Sequence, residues 1–471
     1  PIIQHITLTM LFSTPFFLFV FLPVFFSVYW MLPRRAPFLL LGSLVFYGWS
    51  EPVFLWVVLA SACCDWIFGK LIYKGTSFRR FWLVAGIVTN LSLLVYAKYT
   101  VFAIQNLNVL LDKGGWSVLP VPVIALPLGV SFIVFEKITY LVDLYRRISK
   151  PSHSLLNYLN YIFLFPKLLA GPIVKYHDIE LQLSHPTHCY EDIREGLIRF
   201  LTGLGKKVLL ADLMSPTADK VFSLPASALD PASAWLGLAC FSLQIYFDFS
   251  GYSDMAIGMG RILGFRLLEN FRTPYLATSF TDFWKRWHIS LSSWIREYLY
   301  IPLGGNRVSP ARVYLNLCIC FLLSGLWHGA SWNFVIWGCF HGLILVADRA
   351  FWLQWQQRLP LLANIGITFF LVAISWVFFR CDTFSHALHF VAALFGAPAS
   401  TANAVFLQRD TLVALVAGST VVLLPLIQEK IHNPRVRIPK VAVLASLLVL
   451  LVLCSGRLTV SSFAPFLYFR F

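Results

Sequence analysis

Residues 311–329 read ARVYLNLCICFLLSGLWHG, an apolar run that ends in a histidine between an indole and a glycine. A bilayer core about 30 Å thick requires roughly 20 mainly apolar residues per helical crossing, so this run is long enough to span a membrane. An ionisable group inside such a segment is costly and needs a reason. The stretch therefore predicts a membrane helix that carries a functional residue, His328.

Similar runs recur along all 471 residues, of which 58% are hydrophobic and only 13% are charged. A soluble domain carries about 25% charged residues, so a water-soluble fold is excluded. The pattern predicts an all-α polytopic membrane protein with about ten to twelve membrane helices. The candidate segments are 11–32, 37–49, 52–73, 81–104, 122–145, 155–173, 232–264, 311–329, 332–353, 362–380, 412–427 and 440–455.

Proline and glycine interrupt three of these segments: 122–145, 155–173 and 232–264. Non-helical backbone at membrane depth persists only where it is buried in protein or lines an aqueous cavity, so the breaks predict a central tunnel. Two further stretches, 282–300 and 192–212, place apolar residues on one helical face and basic residues on the other. We expect these to be interfacial or re-entrant helices.

The net charge of +15 arises from basic residues in apparent loops, such as Lys206-Lys207. Such clusters are typical of cytoplasmic loops that contact anionic lipids, and no nucleic-acid-binding motif accompanies them. The nine cysteines lack metal-site spacing, so no metal centre is predicted. Residues 1–9 look unlike the rest, so we expect a non-native or misannotated leader before a single transmembrane domain over 10–471, with a core at 120–352 and C-terminal helices at 360–471.

Three histidines fall in the same third of the chain: His328, His341 on the following segment and His288 in the amphipathic stretch. Histidine suits proton transfer because its reference pKa is near 6.5. In acyl transfer it would deprotonate a hydroxyl or thiol that attacks a thioester. The alternative is a histidine that only forms a hydrogen bond across a helix interface.

A second polar group lies at residues 244–254, QIYFDFSGYSD. Its side chains can line a substrate tunnel or hold a catalytic histidine in place. The alternative is a broken helix whose polar groups cap its own free ends. The candidate residues are Tyr246, Asp248, Ser250, Tyr252 and Asp254.

Six motifs in order resemble the membrane-bound O-acyltransferase family, and within it the bacterial alginate O-acetyltransferase branch. The resemblance covers about residues 10–352. The sequence departs from the family at Phe135-Glu136, where Phe-Gln would be expected. This difference puts the polarity of that part of the tunnel wall in doubt. The motifs are LPLGVSF (126–132), FPKLLAGPI (165–173), FSGYSDMA (249–256), FWKRWHISLSSW (283–294), YIPLGGNR (300–307) and LWHGA (326–330).

The resemblance implies an acyltransferase of the bacterial inner membrane that passes acetyl through a tunnel to an exopolysaccharide such as alginate. It implies His328 as the essential histidine and His288 as the second catalytic position, with His341, Trp327 and Asn306 in supporting or tunnel-lining roles. It further implies acetyl-CoA as donor, no tightly bound cofactor, and a periplasmic SGNH-type acetyltransferase as partner. Membrane lipids are the other expected contact. Candidate donor contacts are Lys285, Arg286, Arg296 and Arg307.

Other readings remain open at this point. The chain can instead catalyse a related acyl transfer: acetylation of peptidoglycan or cellulose, or D-alanylation of teichoic acid. A transporter of an acylated intermediate would need no catalytic histidine, and a scaffold for polymer secretion gives no reason for the three histidines. No internal repeat supports a transporter built from paired halves.

Overall fold

The structure is a computed structural model, and it describes residues 10–75, 77–396, 407–431, 439–460 and 466–467. All regular secondary structure in these ranges is helical, which confirms the all-α prediction. The chain divides into two compact units, residues 1–200 with 255–268 and residues 201–254 with 269–471. The predicted leader, 1–9, lies outside the described residues.

The α-helices of the first unit range from 4 residues, in Phe165–Leu168, to 22 residues, in Pro52–Tyr73. Helix α10 (Tyr190–Gly205) contributes residues to both units. The preceding α-helices are α1 (Leu22–Met31), α2 (Arg35–Ser50), α3 (Pro52–Tyr73), α4 (Arg79–Leu94), α5 (Thr100–Lys113), α6 (Val130–Arg146), α7 (Leu155–Phe163), α8 (Phe165–Leu168) and α9 (Tyr176–Ser184).

The second unit holds the predicted chemistry. Its α-helices are α11 (Asp212–Phe222), α12 (Pro231–Ile262, shared with the first unit), α13 (Phe280–Arg286), α14 (Ile289–Ile295), α15 (Pro310–His328), α16 (Trp332–Ala347), α17 (Leu353–Gln356), α18 (Leu361–Arg380), α19 (Phe384–Leu394), α20 (Arg409–Ile431) and α21 (Lys440–Val460). Short π-helical segments are Phe17–Phe21, Val95–Tyr99, Lys206–Ala211, Arg296–Tyr300 and Asp348–Trp352, and 3₁₀ turns are Ala226–Ala228 and Pro274–Leu276.

Seven helices in the described ranges are long and apolar enough to cross a membrane, which confirms a multi-pass protein. Two apolar helices, Phe17–Met31 and Phe384–Leu394, are shorter. Five of the twelve predicted segments are not among the seven: 11–32, 37–49, 122–145, 155–173 and 232–264. The seven spans are Pro52–Tyr73, Arg79–Lys113, Pro310–His328, Trp332–Gln356, Leu361–Arg380, Arg409–Ile427 and Val441–Val460.

The predicted breaks have different outcomes. Segment 155–173 is interrupted as expected, because α7 ends at Phe163 and α8 ends at Leu168. In contrast, α12 runs without interruption through Gly251, Gly258 and Gly260, so the break expected there is wrong. A Cβ on Gly251 would lie 2.7 Å from the carbonyl oxygen of Gly203. At this position, glycine permits close helix packing and does not break the helix.

Helix α6 of the first unit carries two buried ion pairs. Glu136 pairs with Lys167 and also accepts a hydrogen bond from the backbone N–H of Val174 at 3.2 Å. One residue further, Lys137 lies 3.0 Å from Asp65. A buried carboxylate is tolerated when a partner and hydrogen bonds satisfy it. The glutamate at position 136, where the family would have glutamine, is therefore compensated by Lys167 and adds no unbalanced charge.

Candidate active site

His328 is the last residue of α15, and its side chain enters an aromatic enclosure. The imidazole meets the rings of Trp327, Trp337 and Phe379 edge to face, at centroid distances of 4.9, 5.1 and 5.3 Å. Only 5% of the residue remains exposed. The predicted membrane histidine is thus held in a fixed orientation by apolar rings.

Close packing of α15 against α16 builds this enclosure. A Cβ on Gly325 would lie 2.2 Å from the carbonyl oxygen of Phe334, and a Cβ on Gly338 would lie 2.4 Å from that of Phe321. Such contacts are impossible for any other residue without separating the helices. Small residues at helix interfaces are a recurrent way to pack membrane helices.

His288 is completely buried and lies in the turn between α13 and α14. Its backbone φ of 44° is left-handed, which is uncommon for a residue with a Cβ. The sequence predicted one amphipathic helix over 282–300, and this break shows that expectation to be wrong. Burial lowers the pKa of His288 to about 3, so its imidazole is neutral near pH 7.

Asn270 organises this turn, and sequence reasoning missed it. Its Oδ1 lies 3.1 Å from Nδ1 of His288 and accepts hydrogen bonds from the N–H and the hydroxyl of Ser290 at 3.3 and 2.9 Å. Its backbone carbonyl accepts the N–H of Ile289 at 3.0 Å, and its Nδ2 donates to Ser253 at 3.1 Å. Polar neighbours in LENFR (268–272) make this asparagine resemble an ordinary loop residue.

Trp327 brings the two candidate catalytic histidines together. Its ring centroid is 4.9 Å from that of His328 and 6.1 Å from that of His288. The three residues therefore form one cluster within the second unit. The sequence placed them about forty positions apart, in segments whose pairing it did not reveal.

His341 lies beside this cluster but has a different environment. Its Nδ1 accepts a hydrogen bond from Nε1 of Trp284 at 3.3 Å, and its Nε2 lies 3.0 Å from the hydroxyl of Ser375. The residue is fully buried. Both ring nitrogens of His341 are therefore occupied by protein groups.

The polar group on α12 forms ion pairs within the second unit. Asp248 lies 2.7 Å from Lys207 and accepts the backbone N–H of Leu467 at 2.7 Å, while Asp254 lies 2.6 Å from Lys206. Because α12 is continuous, the alternative of a broken helix that caps its own ends is wrong. Tyr246, Ser250 and Tyr252 are buried in the same helix; Tyr246 packs on Trp287 and Tyr252 packs on Phe466.

Lys207 is buried, so its prediction as a loop residue at the membrane surface is wrong. Burial opposes its charged form, but the carboxylates of Asp212 and Asp248 outweigh burial and raise the pKa of this lysine. The ammonium therefore remains charged and joins the π-helical segment Lys206–Ala211 to α12. This ion pair gives Lys207 and Asp248 a structural role.

A cavity of about 230 Å³ opens beside α15 within the second unit, with largely apolar walls. Lys285 and Arg296 line this cavity, and their side chains are exposed. Neither forms an ion pair with another described residue. Ser324, one helical turn before His328, lies on its inner wall. Arg286 and Arg307 do not line this cavity; Arg286 pairs with Asp282 at 2.8 Å.

Asn306 is exposed and away from the cavity walls. Its Oδ1 accepts hydrogen bonds from the hydroxyl of Tyr300 and from Arg349, both at 2.7 Å. It therefore stabilises the loop before α15. Among the described residues, no group of three His, Cys, Asp or Glu side chains converges as a metal site.

Comparison with known proteins gives a family match and close relatives. Residues 144–381 match the model of the MBOAT, membrane-bound O-acyltransferase family. A probable alginate O-acetylase of Azotobacter vinelandii is 37% identical over 98% of this chain and 100% of its own length. That of Pseudomonas aeruginosa is 41% identical over 86% of this chain and 79% of its own length. A peptidoglycan O-acetyltransferase of Helicobacter pylori is 37% identical over 82% of this chain and 80% of its own length.

Proposed function

Because the chain belongs to the membrane-bound O-acyltransferase family and is therefore a membrane O-acyltransferase, we propose that it moves acetyl from acetyl-CoA across the inner membrane for O-acetylation of alginate. The observation that carries this proposal is the enclosed cluster of His328, Trp327 and His288 in one unit. Near full-length relatives named as probable alginate O-acetylases support the choice of polymer.

The chemistry needs one proton acceptor beside the thioester. His328 removes the proton of the acceptor hydroxyl or thiol as that atom attacks the thioester carbonyl. The tetrahedral intermediate then expels the CoA thiolate as the carbon–sulfur bond breaks, and the imidazolium returns its proton to that sulfur. Such a base contributes roughly a hundredfold to ten-thousandfold in rate. His288 assists at the acceptor.

Donor contact is assigned to the cavity beside α15. The exposed Lys285 and Arg296 can bind the phosphates of CoA, since cations form charge-assisted hydrogen bonds with phosphate. The cavity is lined by Ser324, one helical turn before His328 on the same helix, but not by His328 or His288 themselves. Arg286 and Arg307 are weaker candidates, because Arg286 already pairs with Asp282 and neither lines the cavity.

The acetyl group must reach a polymer on the opposite face of the membrane. We assign that last transfer to a periplasmic SGNH-type acetyltransferase that acts as a partner. The described residues contain helices only, so they offer no sheet-based esterase domain for this step. The partner therefore receives acetyl at the periplasmic end of the predicted tunnel.

The test is complementation of an alginate-producing bacterium that lacks its own alginate O-acetylase. The wild-type chain should restore acetyl esters on secreted alginate, measured by proton NMR, and His328→Ala should not. In membranes, labelled acetyl-CoA should be consumed only by the wild-type chain. Restored acetylation by His328→Ala would refute the catalytic assignment. A chain that leaves acetyl-CoA intact while polymer acetylation returns would indicate a transporter.

Peptidoglycan is the second candidate polymer. The Helicobacter pylori peptidoglycan O-acetyltransferase and the Azotobacter protein have the same sequence identity to this chain, 37%. The same His328 chemistry would serve either hydroxyl, so the histidine cluster does not separate the two. Acetyl released from purified peptidoglycan of the complemented strain, with none on alginate, would select this alternative.

A further inference from the structure

We infer that Asn270 is a positioning residue that holds His288 as the tautomer protonated at Nδ1, so that Nε2 of His288 serves as a hydrogen-bond acceptor in acetyl transfer. The inference rests on the proposed function for its catalytic part only. The tautomer itself follows from contacts within the second unit. The consequence is that His288 assists as an acceptor and does not donate to the thioester oxygen.

The orientation of the Asn270 amide is fixed by its neighbours. The backbone N–H of Ser290 can only donate, and it lies 3.3 Å from the atom that also faces His288. That atom must therefore be the carbonyl oxygen Oδ1. The opposite end of the amide, Nδ2, donates to the hydroxyl of Ser253 at 3.1 Å on α12, which is consistent with the same orientation.

The histidine tautomer follows from this orientation. Oδ1 of Asn270 has no proton, so the 3.1 Å contact is a hydrogen bond only if Nδ1 of His288 carries one. A neutral imidazole has a single N–H, which leaves the lone pair on Nε2. Complete burial keeps the ring neutral near pH 7 and thus preserves this arrangement.

The backbone around His288 is held by the same asparagine. The left-handed φ of 44° is unfavourable for a residue with a Cβ. The carbonyl of Asn270 accepts the N–H of Ile289 at 3.0 Å, and Oδ1 accepts that of Ser290. One residue therefore binds two successive backbone N–H groups and the imidazole. Strain that is held by the surroundings in this way is frequent at functional sites.

This arrangement limits what His288 can do in the reaction. With a lone pair on Nε2, the ring can accept a hydrogen bond from the attacking hydroxyl and orient it for deprotonation by His328. It cannot donate from Nε2 to the developing oxyanion without first being protonated. The division of labour between His288 and His328 is thus set by a residue in the loop between α12 and α13.

The first experiment measures the tautomer directly and does not depend on turnover. Full-length protein is labelled with [¹⁵N]histidine, reconstituted in bilayers, and studied by solid-state NMR. The signal absent from His288→Gln belongs to His288. We expect a protonated Nδ1 and a non-protonated Nε2 for this residue, and loss of that state in Asn270→Leu. A wild-type His288 protonated at Nε2 would overturn the inference, even if the protein proves not to transfer acetyl.

The second experiment tests the catalytic consequence with matched variants. Asn270→Leu has a similar volume but no acceptor, and it should lower kcat about a hundredfold or more, as expected for an active-site histidine held in the wrong tautomer, with little change in KM. Asn270→Asp keeps the acceptor oxygens and should retain much of kcat. Its carboxylate favours the imidazolium, so the acid limb of the kcat profile should move to higher pH.

The control is Asn316→Leu in α15. Asn316 is also fully buried, but its Nδ2 donates only to the backbone carbonyl of Leu303, at 3.1 Å. It should lose stability without a change in kcat per folded molecule. Equal kcat losses in Asn270→Leu and Asn316→Leu, or no rescue by Asn270→Asp, would show that Asn270 is merely structural.

Discussion

Nε1 of Trp284 lies 3.3 Å from Nδ1 of His341, and an indole N–H can only donate, so this histidine nitrogen is an acceptor. Its other nitrogen must then carry the proton and donate to Ser375, whose hydroxyl donates in turn to the carbonyl of Val372 at 2.6 Å. His341 thereby connects α16 to α13 and α18. It has no nitrogen left for a substrate.

From this relationship we predict that His341→Ala mainly destabilises the protein. The Trp284 N–H would lose its acceptor, at a cost of about 1–3 kcal/mol, and the Ser375 hydroxyl would keep its bond to Val372 but lose the one from His341. The midpoint of thermal unfolding in detergent should fall, while kcat per folded molecule should stay within about tenfold of the wild type. His341→Gln, which can both accept and donate, should recover part of the midpoint. An inactive but equally stable His341→Ala would contradict this role.

His328→Ala should have the opposite effect. The loss of the base should reduce acetyl transfer by roughly a hundredfold or more, because proton transfer contributes at least that much. Expression and unfolding midpoint should change little, since the three aromatic neighbours of the ring, Trp327, Trp337 and Phe379, can relax into the space it leaves. His389→Ala, an exposed histidine of α19, is the control and should retain full activity.

Gly325 should be intolerant of any side chain. A methyl group there would approach the carbonyl oxygen of Phe334 to 2.2 Å, so Gly325→Ala must push α15 away from α16 and disturb the enclosure of His328. We expect a clear loss of both stability and activity. Gly366→Ala in α18 is the control, because nothing lies within 4 Å of its added Cβ. That variant should be neutral or slightly more stable, since alanine favours the helix by about 1 kcal/mol.

The sequence reveals the parts of this site that local patterns encode. The apolar run before His328 predicts both the membrane helix and the functional histidine, and the structure confirms the helix at Pro310–His328. Hydropathy carries this information because lipid permits few other sequences. The multi-pass all-α fold is predictable for the same reason.

The missed features all depend on contacts between distant residues. Asn270 binds His288 eighteen positions away, and Lys207 binds Asp248 forty-one positions away. No periodicity signals either pairing. The left-handed backbone at His288 is equally hidden, since the amphipathic pattern over 282–300 continues through it as if one helix were present. Long-range polar contacts therefore set the details that hydropathy leaves open.

The ion pair of Glu136 and Lys167 provides a test in the first unit. Glu136→Ala leaves a buried ammonium without its partner and should cost about 3–5 kcal/mol of stability. Replacement of both residues, Glu136→Gln with Lys167→Met, removes both charges and should recover most of the loss. The comparison of this double variant with the single variants Glu136→Gln and Lys167→Met gives the coupling energy. A coupling near zero would mean that the pair does not stabilise this unit.

His177 should make the first unit sensitive to pH. Its Nδ1 lies 2.9 Å from Asp143, and this hydrogen bond, opposed by burial, raises the pKa of His177 above the usual 6.5. The folded state therefore holds the proton more tightly than the unfolded state. The stabilisation is fully present below about pH 6.5 and disappears as pH rises through the raised pKa. His177→Gln should remove this part of the pH dependence, measured as unfolding midpoints between pH 5 and 9 in about 0.1 M salt. An unchanged pH profile in His177→Gln would show that the pair does not contribute to stability.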